Sequence, residues 1–287
     1  MINPKLFPSA MVLAATFVWS TSGLFVRWLG FPPATLSLFR SIIPVILVSI
    51  WYVVRGYRPS LDSLGLKLTA SAINPVRMLA YFYGFTHTTI ANAVIALYTW
   101  PIFAALFAWV LLGERVSGRQ ALLLALGFSG IPLLYIGSNL TISNADVLGI
   151  SSMLVAAALH ALTMVMLKKA KRGVDRFESI FYQNLISAFV FIPVLWIPGY
   201  QFTPGEAGLG IFYGAFVGVL GYALFFGGLH QMAAARASII TYFEVVGAVI
   251  LAWFVFGETP GWNTILGGAL VTVAVILAGS ADRAPPD

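Results

Sequence analysis

Residues 239–257 read IITYFEVVGAVILAWFVFG, a run suited to a membrane interior except for one acid, Glu244. A carboxylate there has two readings. It faces a cavity and handles a cation or a proton, or it is the structural partner of an arginine, because a lone buried charge costs several kcal/mol. Two arginines lie in comparable surroundings, Arg40 in SLFRSIIPVIL and Arg77 in NPVRMLAYFYG. Each is either a site cation or a tie to unwound backbone and helix ends. His160, in VAAALHALTMVM, is either a titrating gate or a hydrogen-bonded core residue.

Aromatic side chains are the second signal. Arg77, Tyr81 and Gly84 share one helix face at i, i+4 and i+7. Tyr98, Tyr222 and Tyr242 fall within apolar runs, and their hydroxyls need partners, which favours a wet cavity over lipid. Trp19, Trp100 and Gln183 complete the candidate substrate-binding set with two ring faces and an amide. A carboxylate, guanidinium groups and rings together suit a zwitterion with an aromatic or apolar side chain. Trp51, Trp196 and Trp262 are expected in an interfacial belt, with His87 and His230 near span ends. The small residues of GAFVG at 214–218 are expected to serve close helix packing.

Enzymatic chemistry finds no foothold. The chain lacks an HExxH metal motif, a phosphate loop and any Ser/His/Asp set with recognisable spacing. It also lacks cysteine, which removes disulfides, thiolate catalysis and Cys-based metal sites. The reading is therefore a non-enzyme without cofactor or metal.

The elements that must position these groups follow from composition. Of 287 residues, 60% are hydrophobic and 9% charged, with mean hydropathy +0.92, which leaves too little charge to cover a soluble surface. A helix needs about 20 apolar residues to cross a bilayer. Breaks at Pro, Gly and charge clusters predict ten spans, at about 8–28, 32–54, 64–86, 90–112, 119–137, 147–168, 177–197, 207–229, 235–256 and 262–280. The first is expected to be a retained span and not a cleaved signal. At about 1.5 Å per residue, Glu244 lies about 15 Å into its span, near midplane. Arg40 and Arg77 come out at or just outside midplane, and His160 somewhat inward.

Of the 16 basic residues, all but Arg27, Arg40 and Arg77 fall on one side if the N-terminus is cytoplasmic. The KKAKRG stretch at 168–173 anchors that side. Both termini are thus expected in the cytoplasm of a cell whose inner membrane holds the chain. Net charge is +6, but the basic residues form no patch suited to nucleic acid.

The chain also repeats. LYTWPIFAALFAWVLLGE (97–114) aligns with TYFEVVGAVILAWFVFGE (241–258), sharing Tyr98/Tyr242, Trp109/Trp253 and Glu114/Glu258. WSTSGLFVR (19–27) aligns with HALTMVMLK (160–168). Five spans per half is an odd number, so the second half must enter the membrane from the opposite side. The fold class is all-α integral membrane, ten transmembrane helices as two inverted five-helix repeats.

The Trp19–Ser20 pair, Phe39–Arg40, Pro101 and the Gly113–Glu114 and Gly257–Glu258 signatures resemble the drug/metabolite transporter superfamily, with EamA-type repeats over 1–140 and 141–287. The YTWP stretch at 98–101 is similar to the bacterial aromatic amino-acid exporters of that superfamily. The second half departs from the pattern, with Val245 where the repeat expects proline, so span 9 is expected to be less kinked than span 4. The resemblance implies a central cavity ringed by four helices of each half, with spans 5 and 10 peripheral. It further implies outward movement of small metabolites by alternating access. Expected partners are a small-molecule substrate and the lipid bilayer, with the chain a monomer or weak homodimer. A sugar-phosphate or nucleotide-related carrier would want a denser cationic site, and an organic-cation carrier remains an alternative. A channel would show rings of charge or a filter loop, and a scaffold gives no reason for midplane charges.

Overall fold

The computed structural model describes residues 6–135, 144–170, 175–197, 202–257 and 259–279. The expected boundary near 140, Lys171 and Arg172, Glu258, both termini and the side chain of Arg27 lie outside the described residues.

The chain opens with α1 (Phe7–Ser20) and α2 (Ser22–Leu29), which share one span across Thr21. Helix α3 (Pro33–Arg55) begins on prolines whose fixed φ suits a first turn, and stops where Gly56 turns left-handed at φ 61°. Helix α4 (Leu64–His87) follows. Helices α5 (Ile90–Leu97) and α6 (Trp100–Leu112) are the two parts of an interrupted span, and α7 (Gly118–Leu134) is opened by a Ser117–Gln120 capping box.

The second half starts with α8 (Asn144–Lys169). Helix α9 (Arg176–Phe191) is capped by Asp175 and tightens into a 3₁₀ turn at Ile192–Trp196. One 26-residue span then combines α10 (Pro204–Tyr213), a π-helical stretch at Gly214–Gly221 and α11 (Tyr222–Leu229). Helices α12 (Ala234–Thr241), α13 (Phe243–Phe256) and α14 (Trp262–Gly279) complete the described chain.

Eight of the expected ten spans are helical segments long and apolar enough to cross a membrane. The third expected span is the 24-residue α4, which is long enough but carries Lys67, Asn74, Pro75 and Arg77. The fifth is the 17-residue α7, apolar but short.

The principal helix pairings join the two halves: α4 with α8, α7 with α14, α3 with α9, α6 with α8, and α1 with α11 and α13. Close approach is possible where side chains are missing. A Cβ on Gly130 would lie 2.6 Å from Gly267 O, and one on Gly267 would lie 2.5 Å from Gly130 O, so α7 and α14 meet backbone to backbone. GAFVG serves the same end. A Cβ on Gly214 would meet Phe39 O at 2.5 Å, and one on Gly218 would meet Pro44 Cγ at 2.7 Å. The wide π turns therefore lie against α3 beside Arg40.

Two polar clusters tie the halves together at the end where α1 begins. Lys67, one of the basic residues counted on the cytoplasmic side, is fully buried. Its ammonium pairs with the equally buried Glu178 at 2.5 Å and donates to Ser60 O at 2.7 Å. The Tyr57 hydroxyl donates to the other Glu178 oxygen at 3.0 Å. Burial, and then that bond, push the Tyr57 phenol up to about 12, so it stays a donor at physiological pH. In the second cluster Glu114 accepts from Lys168 Nζ at 2.5 Å and from Ala234 N at 2.7 Å. One carboxylate therefore joins the end of α6 to the end of α8 and the start of α12.

Trp196 and Trp262 are exposed, as an interfacial belt requires, whereas Trp51 packs on Phe177 with ring centroids 4.8 Å apart. Trp109 and Trp253 are also exposed, near the ends of α6 and α13.

Candidate functional site

Two interrupted spans create the centre of the site. The first breaks at Tyr98–Thr99, where the Thr99 hydroxyl donates to Ala96 O at 2.6 Å and Pro101 allows no return bond from its nitrogen. The second breaks at Tyr242 without any proline, its Thr241 hydroxyl donating to Ser238 O at 2.6 Å. Span 9 is therefore interrupted like span 4, and the missing proline only shortens the break. The two breaks touch: Ser238 Oγ donates to Pro101 O at 3.4 Å, and the Tyr98 hydroxyl donates to the Glu244 carboxylate. Glu244 sits in the first turn of α13, where the helix dipole favours an anion. Its own carbonyl accepts from Ser20 Oγ of α1 at 2.9 Å.

Arg40 approaches from α3. Its guanidinium donates to the Tyr222 hydroxyl at 3.3 Å and lies 5.9 Å from that ring's centroid. Arg40 is within Coulombic reach of Glu244, but no ion pair of 4.0 Å or less joins them among the described residues. Arg77 is held by a relay across the halves: its Nε donates to Asn74 Oδ1 at 2.8 Å, and Asn74 Nδ2 donates to Ser187 Oγ of α9 at 2.9 Å. Tyr81, one turn along α4, lies among the fields of Arg40, Arg77, Glu244 and Tyr213.

Rings close the space. Trp19 meets Tyr222 edge-on at 5.0 Å and Phe225 at 5.1 Å, and Trp100 meets His160 edge-on at 4.9 Å. The Gln183 amide donates to Tyr222. Trp19 Nε1, His160 Nδ1 and Gln183 Oε1 are buried without a hydrogen-bond partner among the described residues. Such atoms are rare in folded chains and mark places where water or a ligand group belongs.

The structure thus gathers Trp19, Arg40, Arg77, Tyr81, Tyr98, Trp100, His160, Gln183, Tyr222 and Glu244. Tyr242 is not among them. It is fully buried with its ring against Gly127 of α7, where a Cβ would lie 2.6 Å from Cδ2. It is the repeat counterpart of Tyr98 but packs against α7. Asn74, Ser187, Tyr213 and Ser20 join the site unanticipated. Asn74 carried a signal, one helical turn before Arg77, and Ser20 stood in the Trp19–Ser20 signature.

The family model described as EamA-like transporter matches residues 6–136 and 147–280. The chain belongs to the EamA-like transporter family. It is therefore a transporter and not an enzyme, a multi-pass membrane protein whose substrate is a small molecule. This EamA-like transporter is 26% identical to the pseudopaline exporter CntI of Pseudomonas aeruginosa, over 94% of this chain and 96% of that one. It is 28% identical to mouse solute carrier family 35 member G1, over 91% and 74%. To the S-adenosylmethionine uptake transporter of Rickettsia prowazekii it is 24% identical, over 69% and 66%. A solved crystal structure shares the fold with TM-score 0.82 at 18% identity, covering 94% of this chain and 97% of that chain.

Proposed function

We propose that this transporter exports aromatic and other neutral amino acids by alternating access, from the inner membrane, with both termini cytoplasmic. The observation that carries the reading is the joint site: Glu244 and Tyr98 for an ammonium, Arg40 and Arg77 for a carboxylate, and Trp19, Trp100 and Tyr222 for a ring. Charge-assisted hydrogen bonds would orient the zwitterion, and ring contacts would select its side chain. Residues 1–140 and 141–287 act as two inverted repeats of five spans in a monomer or weak homodimer. The helix pairings support this: exchanging each span with its counterpart turns α4–α8 into α1–α11, turns α6–α8 into α1–α13, and leaves α3–α9 and α7–α14 unchanged. Kinship leaves direction open, since the relatives include an exporter and an uptake transporter.

Purified protein in liposomes should move tryptophan and phenylalanine faster than alanine, and sugar phosphates not at all. Flux of a sugar phosphate without any amino-acid flux would sink the reading. A second reading, an organic cation as cargo, is favoured by one observation, a carboxylate among rings with no close ion pair. In the same assay it requires a quaternary amine to outrun tryptophan.

A further inference from the structure

We infer that the cavity between α1, the start of α9 and the end of α11 is the cytoplasmic entry port and a first binding station for the cargo. This rests on the amino-acid reading above and adds a second site to it. The cavity is an open recess of about 360 Å³, within the size range of small-ligand sites. Asp175, Arg176, His230 and Gln231 supply opposite charges and hydrogen-bonding groups, while Phe7 and Met11 supply an apolar wall. That is the same pairing of chemistries as at the central site, at the end that the basic residues assign to the cytoplasm.

A path leads inward from it. His230, Phe226 and Tyr222 lie at successive turns of one helix face, with ring centroids 5.7 Å and 6.0 Å apart, and Tyr222 is the residue bound to Arg40. Between cavity and path lies Met11, whose terminal methyl occupies the place a Cβ on Gly227 would take. Glycine leaves room for this side chain, and methionine is the apolar residue that most readily swings aside. The rim is braced. Lys168 Nζ donates to Met232 O at 2.6 Å, and the Gln231 amide donates to Gly227 O at 2.6 Å. The turn between α11 and α12 is thus held in place, while Met11 and the fully buried Phe226 behind it stand in the way.

The chain contains no cysteine, so Met11→Cys places a single thiol in the plug. Membrane vesicles of each orientation are treated with a membrane-impermeant maleimide, with and without tryptophan, and tryptophan flux is then measured. Labelling should occur from the cytoplasmic face only, slow in the presence of tryptophan, and lower flux below that of the unlabelled variant. Labelling from the outer face, or a labelled protein with unchanged flux, would overturn the port. Gln231→Cys, on the exposed rim of the same cavity, gives the same readout if Met11→Cys folds poorly. Should the wild type fail to carry tryptophan, the cargo reading falls by itself, and the sidedness of labelling still decides the port.

Discussion

At the scale of single residues, Glu244 separates binding from stability. Its two sequence readings were a cavity acid and the ion-pair partner of an arginine. In the structure its carboxylate takes a hydrogen bond from Tyr98 and faces Arg40 without a close ion pair. Glu244→Gln keeps an acceptor for Tyr98, so the melting temperature should barely move, for a cost of about 1 kcal/mol or less, while amino-acid flux is lost. Combined thermal denaturation and liposome flux check this. A loss of about 3–5 kcal/mol would instead identify a structural ion pair. The neighbouring Arg77 illustrates what spacing can reveal. Asn74 one turn earlier was readable as its companion, but Ser187, which holds Asn74 from 113 residues away, was not.

At the scale of elements, helix rotation decides which of two equivalent tyrosines serves the site. Tyr98 and Tyr242 align in the repeat and both sit at helix breaks, yet only Tyr98 reaches Glu244. Tyr242→Ala should therefore empty a packed position against α7 and cost about 3–5 kcal/mol, without altering the preference for tryptophan over alanine. Tyr98→Phe should do the reverse, costing about 0.5–1.5 kcal/mol in stability and impairing flux. Thermal shift and substrate competition on the two variants distinguish them. The Lys67–Glu178 pair makes a second case, since it clamps the α3–α4 loop onto α9. Lys67→Met alone strands a buried carboxylate and should cost about 3–5 kcal/mol, and adding Glu178→Leu should restore most of it. Equal damage from the single and double variants would mean that packing and not charge holds this contact.

At the scale of the whole molecule, the ion pairs that join the halves among the described residues, Lys67–Glu178 and Lys168–Glu114, lie at one end of the bundle. Glu114 binds both the end of α8 and the start of α12, which on the proposed alternating-access reading would make it a latch at that end. Glu114→Gln keeps an acceptor for Ala234 N but loses the charge that holds Lys168. The cytoplasmic side should then open more often. In the Met11→Cys background, maleimide labelling from the cytoplasmic face should accelerate, with little change in melting temperature. Unchanged labelling would show that Glu114 is a helix-end cap and no latch.

The sequence by itself determined what adds up locally along the chain: the apolar runs that become helices, the depth of each charged residue and the family signatures at Trp19–Ser20, Phe39–Arg40 and Gly113–Glu114. Depth depends only on counting residues from a span end, so Glu244, Arg40, Arg77 and His160 could be expected at comparable levels before any fold was known. Facing could not be read in this way. Each residue turns a helix by about 100°, so a one-residue difference at a break points a side chain elsewhere. That is why Tyr242 joined the packing against α7. Partners distant in sequence were equally hidden. Nothing in the sequence pairs Lys67 with Glu178, 111 residues away, because only packed helices can take both groups from water and offset each with the other.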